Sequence, residues 1–192
     1  MGQLRFWGRP GSLLAVISLL LAGLLVLGYL CFYRSVTVVI LVRHAEKNIE
    51  PGNSNPSLSP AGQQRAQELV RVLGNADITA IYATQYLRTQ QTAQPLATHL
   101  SLPVNQGDAN NTPDLVRRIK SDNLGGVVFV AGHNNTVPAI IAALGGGTFP
   151  IIPESEYDNM FVVTVYRMGK AKVVKLKYGN PMPASGNQGM NP

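Results

Sequence analysis

Two of the three histidines in this sequence come directly after apolar runs that are typical of buried strands. His44 follows Arg43 at the end of the run 36–42, and His133 follows the run 125–132. A single arginine or histidine at a strand end is more often a solvated or hydrogen-bonded structural residue than a catalytic one. Two such junctions in one chain are therefore the main indication of a functional site.

A third junction of this kind delivers Thr84, with Arg88 one helical turn later. Because ligands of α/β sheets bind outside the carboxyl ends of the strands, the three junctions are expected to meet at one edge. Two arginines at that edge would bind carboxylate or phosphate through forked hydrogen bonds. A helix expected to begin near Thr136 would add its N-terminal amides, which also favour an anion.

This cationic setting indicates how a histidine could react. Positive neighbours lower the pKa of an imidazole and leave one ring nitrogen free to attack. A neutral histidine between two guanidiniums could take a phosphoryl group and pass it to water, without a cofactor. No metal site is predicted, because the sequence has no His-Glu-x-x-His motif and a single cysteine, Cys31. The third histidine, His99, is expected at the surface.

The elements that must position these residues alternate between strand and helix. Because the run 36–42 is apolar throughout, its strand should be covered on both faces. This pattern predicts an α/β three-layer sandwich, α/β/α, with a mostly parallel sheet. Strands are predicted at 36–42, 76–84 and 125–132, and helices at 60–73 (capped by Ser59), 86–100 (interrupted or bent at Pro95), 114–122 and 136–146. A hairpin is predicted at 160–167 and 171–178 around Met168-Gly169, and an irregular loop at 103–113.

The N-terminal part of the chain has a different composition. Residues 1–11 form a basic segment, and residues 12–33 contain no charged side chain. Twenty-two helical residues span about 33 Å, which is enough to cross a bilayer. We therefore predict one transmembrane helix over 12–33, an uncleaved signal anchor. A cleaved signal peptide is the alternative, although its apolar core is usually shorter. The flanking charges weakly favour an extracytoplasmic main domain.

The remaining chain is expected to form one domain at 36–178 and a disordered tail at 179–192, rich in glycine, proline and polar residues. No nucleic acid is expected as a partner, because basic and aromatic residues are not interleaved and no large basic block occurs. The basic segment 167–177 is predicted to protect a sheet edge. Contact with anionic lipid is the alternative interpretation of that segment.

Four segments resemble, in order, motifs of the histidine phosphatase superfamily, whose fold is that of phosphoglycerate mutase. They are LVRHAEK (41–47), LSPAGQQRAQEL (58–69), ATQYLRTQQTA (83–93) and VAGHNNTV (130–137). Arg65 stands where the family often has glutamine, and Thr84 where it often has serine. In size the domain resembles the family's short phosphatases, including phosphohistidine and envelope sugar-phosphate phosphatases, more than a full mutase.

The resemblance implies a role for each matched residue at the strand ends. His44 would be the phosphorylated nucleophile, and Arg43 and Arg88 would bind the phosphate. His133 would donate to the phosphate oxygens. The resemblance implies no metal ion.

Further residues are expected to contact the substrate or to donate a proton. Thr84, Asn134 and Glu46 are candidates for substrate binding. Larger members of the family place a glutamate, the general acid, in an insertion that is short in this chain. The candidates for that role here are Glu46, Asp108 and Asp158, and Asp158 is preferred.

These expectations predict a metal-independent phosphatase that hydrolyses a phosphomonoester or a phosphohistidine through a phosphohistidine intermediate. Its partner would be a phosphorylated substrate, whether small molecule, envelope glycan or protein, and residues 12–33 would hold the enzyme at the membrane. One alternative is a catalytically inactive, anchored module that binds a phosphorylated ligand. The other is a phosphoglycerate mutase.

Overall fold

The structure, a computed structural model, describes residues 10–33, 36–166 and 170–181. The chain divides into two compact units between Ser35 and Val36. Three predicted features lie wholly or largely outside the described residues. They are the basic segment at the N-terminus, the hairpin tip at Met168-Gly169, and the part of the predicted C-terminal tail from residue 182 onward.

The described part of the first unit is one helix, α1 (Pro10–Tyr33), of 24 residues. Its side chains from residue 14 to residue 29 are exposed. Over the described residues, no helix has the length and apolar character that crossing a membrane requires. The transmembrane segment predicted at 12–33 is therefore not supported by the structure.

The second unit alternates strands and helices as the sequence predicts. Over its described residues the order is β1 (Thr37–Arg43), α2 (Pro60–Leu73), β2 (Ile78–Thr84), α3 (Leu87–Leu100), β3 (Val104–Gly107), α4 (Thr112–Asp122), β4 (Val127–Gly132), α5 (Thr136–Ala143), β5 (Asn159–Val165) and β6 (Ala171–Lys177).

The six strands form one mixed sheet in the order β3-β2-β4-β1-β5-β6. β1, β2, β3 and β4 are parallel to one another, whereas β5 and β6 are antiparallel additions on one side. β4 lies between β1 and β2, and the last residue of β1, Arg43, is level with Gly132 at the end of β4. The carboxyl ends of these three strands therefore meet at one edge, as the strand-end polar residues predict.

Alternate residues of β1 explain why this strand carries no polar alternation. Val39 and Leu41 pack with residues of α4 and α5, while Ile40 and Val42 pack with residues of α2 and α3. Both faces of the sheet are thus covered by helices, and a strand between two helical layers must be apolar on both sides. The predicted three-layer α/β/α arrangement is confirmed.

The main departure from the predicted elements is β3, which lies within the segment predicted to be an irregular loop at 103–113. Its central residues Asn105 and Gln106 are polar because β3 is a short strand at the edge of the sheet. An edge strand of four residues has too little buried surface to show an apolar pattern. Two smaller differences are that α4 begins at Thr112 rather than 114, and that α3 continues through Pro95.

Candidate active site

His44 follows directly after β1 and is held in one orientation. Its amide donates to Gly132 O at 2.8 Å, and its Nδ1 lies 2.8 Å from Ala45 O. Because a carbonyl oxygen can only accept, Nδ1 carries the proton, and the neutral ring keeps its lone pair on Nε2. The side chain is buried, with 4% of its surface exposed.

Burial and charge keep this imidazole neutral. The pKa of His44 is lowered to about 3, and burial is the main cause. The nearby Arg43, His133 and Arg88 act in the same direction, while the hydrogen bond to Ala45 opposes the shift. The neutral form is therefore present at neutral pH, as a nucleophile requires.

His133 comes directly after β4, and its ring centroid lies 5.4 Å from that of His44. The amide of His133 donates to Thr136 Oγ1 at 2.8 Å, at the start of α5. Burial lowers the pKa of His133 to about 4, and the charges of Arg88 and Arg43 act in the same direction. The two histidines thus form a pair of neutral rings at the predicted edge of the sheet.

A chain of hydroxyl groups assigns the tautomer of His133. Thr89 Oγ1 donates to backbone carbonyls, at 2.7 Å to Tyr86 O and 3.1 Å to Thr84 O. Its hydroxyl proton is used there, so in its 2.8 Å contact with Thr84 Oγ1 it accepts. The Thr84 hydroxyl has then donated its only proton, and it accepts from His133 Nε2 at 2.9 Å. His133 therefore carries its proton on Nε2.

Arg43 is almost completely buried and is fixed by the segment that precedes β5. Its Nη1 donates to Pro153 O at 2.8 Å, to Glu154 O at 2.9 Å and to Glu156 O at 3.3 Å. Its Nη2 is bound to the Glu154 carboxylate. The guanidinium carbon lies 4.3 Å from the centre of the Tyr157 ring. The Nε atom is buried and has no hydrogen-bond partner.

Arg88 presents a similar group from the first turn of α3. Its guanidinium carbon lies 4.5 Å from the centre of the Tyr86 ring, which in turn makes an edge contact with His133 at 5.1 Å. Its Nη1 donates to Ser54 O at 3.5 Å, and its buried Nε lacks a partner. The pKa of Arg88 is lowered, mainly by burial. Burial of a cation is unfavourable unless an anion binds to it.

A cavity of about 240 Å³ lies at this edge of the sheet. Both histidines and Arg88 line it, whereas Arg43 is not among its lining residues and reaches it only through its ion pair with Glu154. Asn134, one of the candidates for substrate binding, also lines the cavity, whereas Thr84 does not line it and contacts His133 instead. The lining residues are His44, Lys47, Tyr86, Arg88, Ala109, Asn110, His133, Asn134, Asn135, Thr136 and Glu154.

The structure does not place the predicted acidic residues in this cavity. Glu46 pairs with buried Arg65, whose Nε and Nη2 donate to the carboxylate at 2.8 to 3.0 Å. Asp158 accepts from Lys177 Nζ at 2.6 Å, on the hairpin β5–β6. Asp108 accepts from Gln85 Nε2 at 3.3 Å and is exposed. None of these three carboxylates lines the cavity, so the preferred general acid, Asp158, is not supported by its position.

The sequence analysis missed Glu154, which is the carboxylate that does line the cavity among the described residues. Its Oε1 accepts from Asn134 Nδ2 at 2.6 Å, and its other oxygen pairs with Arg43. Glu154 stands in an irregular segment with Glu156 and Asp158 at alternate positions. The alternation offered no way to choose among the three acidic residues. Over the described residues, no group of three or more potential ligands could hold a metal ion.

Part of the chain matches a known protein family. Residues 39–109 match the model of the histidine phosphatase superfamily, branch 1. The resemblance to that superfamily is confirmed. The sequence matches no curated protein.

Several solved structures share the fold. The protein histidine phosphatase SixA in complex with tungstate is 19% identical, with a TM-score of 0.59 over 73% of this chain and 96% of that one. A mycobacterial glucosyl-3-phosphoglycerate phosphatase is 14% identical, with a TM-score of 0.58 over 74% and 98%. A protein titled mycobacterial hydrolase 2 is 13% identical, with a TM-score of 0.60 over 80% and 94%. At these identities the likeness establishes the fold.

Proposed function

We propose that this protein is a metal-independent phosphatase that hydrolyses a phosphomonoester or a phosphohistidine through a phosphohistidine intermediate on His44. The single observation that carries the proposal is the state of His44. Its Nδ1 proton is held by Ala45 O, its burial keeps it neutral, and Nε2 is left as a nucleophile. The match to the superfamily over residues 39–109 supports the same chemistry.

Two unpartnered guanidinium nitrogens support an anion as the ligand. Arg43 and Arg88 each leave a buried Nε without a partner. A buried donor without an acceptor is costly, and a phosphate oxygen would relieve that cost at both residues. Related structures were solved with tungstate and with inorganic phosphate, which are tetrahedral oxyanions.

The proposed reaction has two displacement steps. In the first, the Nε2 lone pair of His44 forms a bond to phosphorus while the bond from phosphorus to the leaving group breaks. The leaving group departs with the electron pair and takes up a proton from a water molecule, and the hydroxide that remains is neutralised by the proton released in the second step. In the second step a water oxygen attacks phosphorus, the N–P bond breaks, its electron pair returns to Nε2 and the water proton is released.

His133 is proposed to stabilise the phosphoryl oxygens during both steps. Because Nε2–H is committed to Thr84, donation to a phosphate oxygen requires a proton on Nδ1. A substrate that binds as the phosphate monoanion brings such a proton with it. The positive charge then rests on an imidazole beside the developing negative charge.

Hydrolysis of an aryl phosphate by the full-length chain, with EDTA present, tests this proposal. We expect turnover by the parent, an acid-labile phosphoprotein trapped at His44 after rapid quenching, and no turnover by His44→Ala. Asp122→Asn, which changes an exposed carboxylate at the end of α4 and outside the cavity, is the matched control and should retain activity. Loss of activity with EDTA that returns on adding a metal ion would contradict the proposal.

The inactive binding module remains the alternative because the same pocket would bind a phosphorylated ligand without hydrolysing it. Phosphate binding without any turnover would favour that alternative. A phosphoglycerate mutase would instead transfer phosphate between glycerates, and this transfer should be absent. The cavity is small, polar and open to solvent, so it favours a substrate that inserts its phosphate group and leaves the rest of the molecule in solvent.

The predicted localisation, a single-pass membrane protein with an extracytoplasmic catalytic domain, stays a prediction from the apolar run 12–33 and its flanking charges. Extraction of membranes with alkaline carbonate tests it. Retention of the full-length chain in the pellet is expected, and release into the supernatant would contradict it.

A further inference from the structure

The Glu154 carboxylate occupies part of the predicted phosphate site. One carboxylate oxygen pairs with Arg43 Nη2, and the other accepts from Asn134 Nδ2 at 2.6 Å. The two partners of the ion pair differ in environment, since the Arg43 side chain is 2% exposed and that of Glu154 is 69% exposed. An exposed anion is thus held on a buried cation at the wall of the cavity.

The main-chain contacts of Arg43 decide which of its N–H groups remain for a ligand. Nη1 is committed to three backbone carbonyls, which fix the plane of the guanidinium. The remaining edge consists of Nε and Nη2, and such an edge suits two oxygens of one anion. Nε is unpartnered, while Nη2 already holds Glu154. A phosphate that takes the whole edge must displace the carboxylate.

We propose that Glu154 is a specificity-determining residue that competes with the phosphoryl group for Arg43. Without a ligand, its carboxylate accepts from Nη2, one of the two donors on the ligand-binding edge of Arg43. When a phosphoryl group binds, the exposed side chain swings away towards solvent. The identification of the anion as phosphate rests on the proposed function, but the competition for Arg43 rests on the contacts alone.

This competition has a consequence for the substrate class. After displacement, the Glu154 carboxylate stays near the mouth of the cavity, where the leaving group of the substrate would lie. A leaving group with its own carboxylate is repelled there, whereas a neutral or cationic one is not. Lys47 also lines the cavity and offsets part of this repulsion for any anion. The site therefore discriminates against phosphates whose neighbouring groups are anionic.

Calorimetric titration of the full-length chain with inorganic phosphate, at fixed pH and ionic strength, tests the competition directly. Glu154→Gln keeps the side-chain shape and removes the charge, and we expect it to bind phosphate about three- to tenfold more tightly than the parent. Glu154→Asp keeps the charge but is too short to reach both partners, and an intermediate affinity is expected. Glu68→Gln removes the same charge from an ion pair with exposed Arg71 on α2, outside the cavity, so it is the control and should match the parent.

Unchanged or weaker phosphate binding by Glu154→Gln would overturn the proposal, since the carboxylate would then position Arg43 rather than compete for it. Absence of phosphate binding by both the parent and Glu154→Gln would overturn it as well. Binding needs no turnover, so the two proposals fail separately. If Glu154→Gln binds phosphate more tightly but neither protein hydrolyses substrate, the competition stands and the phosphatase proposal is wrong. If the parent hydrolyses substrate but both proteins bind phosphate equally, the phosphatase proposal stands and the competition is wrong.

A matched pair of substrates tests the discrimination. Glycerol 3-phosphate and 3-phosphoglycerate have three-carbon leaving groups that differ in one carboxylate. We expect Glu154→Gln to raise the ratio of kcat/KM for 3-phosphoglycerate over glycerol 3-phosphate by about threefold or more. The same ratio in parent and variant would overturn the assignment of Glu154 as a specificity-determining residue.

Discussion

Nε2 of His133 lies 2.9 Å from the Thr84 hydroxyl, and both side chains are buried. The hydroxyl chain through Thr89 ends on backbone carbonyls, so it fixes the direction of every proton along it. Thr84 thereby orients His133 and assigns its tautomer, although it is not among the residues that line the cavity. This role depends on the hydroxyl of Thr84.

Replacing Thr84 by valine keeps the side-chain shape and removes the acceptor for His133. The ring can then rotate or adopt the other tautomer, and we expect kcat to fall about tenfold, in line with the loss of one buried hydrogen bond. KM should change less, because the arginines that would bind phosphate are untouched. Steady-state kinetics with an aryl phosphate measure both constants.

Thr84→Ser is the matched control, since it restores the hydroxyl and removes only a methyl group. It should recover most of the parent's kcat. If valine and serine variants lose activity equally, packing of the methyl group matters at this position and the orienting role is wrong.

The two histidines make the stability of the domain depend on pH. Their pKa values in the folded state, about 3 for His44 and about 4 for His133, lie below the value of about 6.5 expected in the unfolded chain. Above pH 7 both are neutral in both states. As the pH falls below about 6.5, the unfolded chain binds protons that the folded domain does not, so the free energy of unfolding decreases until about pH 3 to 4.

Between pH 7 and pH 5 we expect a loss on the order of 1 to 2 kcal/mol for each histidine, measured by urea unfolding of the parent. The double variant His44→Gln/His133→Gln carries neither group and should lose much less stability over the same range. An equal pH dependence in parent and double variant would show that other groups cause it.

Most of the positions around this site follow from local patterns in the sequence. The apolar run before Arg43 and the Ser59-Pro60 start of α2 are short-range signals, and the structure confirms both. His44 and His133 could be placed together because parallel strands end at the same edge of a sheet. The fold and the strand-end residues were therefore predictable.

The acidic residues were not predictable, because their partners are remote in the sequence. Glu46 pairs with Arg65 across 19 positions, and Glu154 pairs with Arg43 across 111. Such contacts depend on the path of irregular segments, which carry no periodic signal. Glu46 was placed at the substrate on its nearness to His44 alone, and Glu154 was missed.

Glu46 is expected to support the structure rather than bind the substrate. Arg65 also donates to Tyr178 O at 3.0 Å and to Asn180 O at 3.2 Å, so the pair ties the loop after His44 to the end of the domain. Glu46→Gln removes the carboxylate charge that accepts from buried Arg65, which should lower the free energy of unfolding by on the order of 2 kcal/mol.

Phosphate affinity, measured by calorimetry, separates the two roles of Glu46. It should stay within about twofold of the parent's, since Glu46 lies outside the cavity. A large change in affinity with unchanged stability would restore Glu46 to the substrate site.

Gly62, in the first turn of α2, is the position where a single methyl group should disturb the site from a distance. A Cβ atom there would lie 2.1 Å from the carbonyl oxygen of Glu46, two residues after His44. That oxygen accepts from the Ser59 amide at 2.9 Å, so the loop and the helix start are already in close contact. In an ordinary helix, glycine to alanine stabilises by about 1 kcal/mol. For Gly62→Ala we expect the opposite, a decrease in the free energy of unfolding of about 2 kcal/mol or more, because the backbone at Glu46 must move to make room for the methyl group.

Thermal or urea unfolding of Gly62→Ala, together with its kcat, measures this effect. Ala61→Gly, at the exposed neighbouring position in the same helix, is the control and should cost about 1 kcal/mol from helix propensity alone, with little change in kcat. Because His44 is carried by the loop that must shift, Gly62→Ala should lower kcat as well as stability. A stabilised, fully active Gly62→Ala variant would show that the loop can yield without disturbing His44.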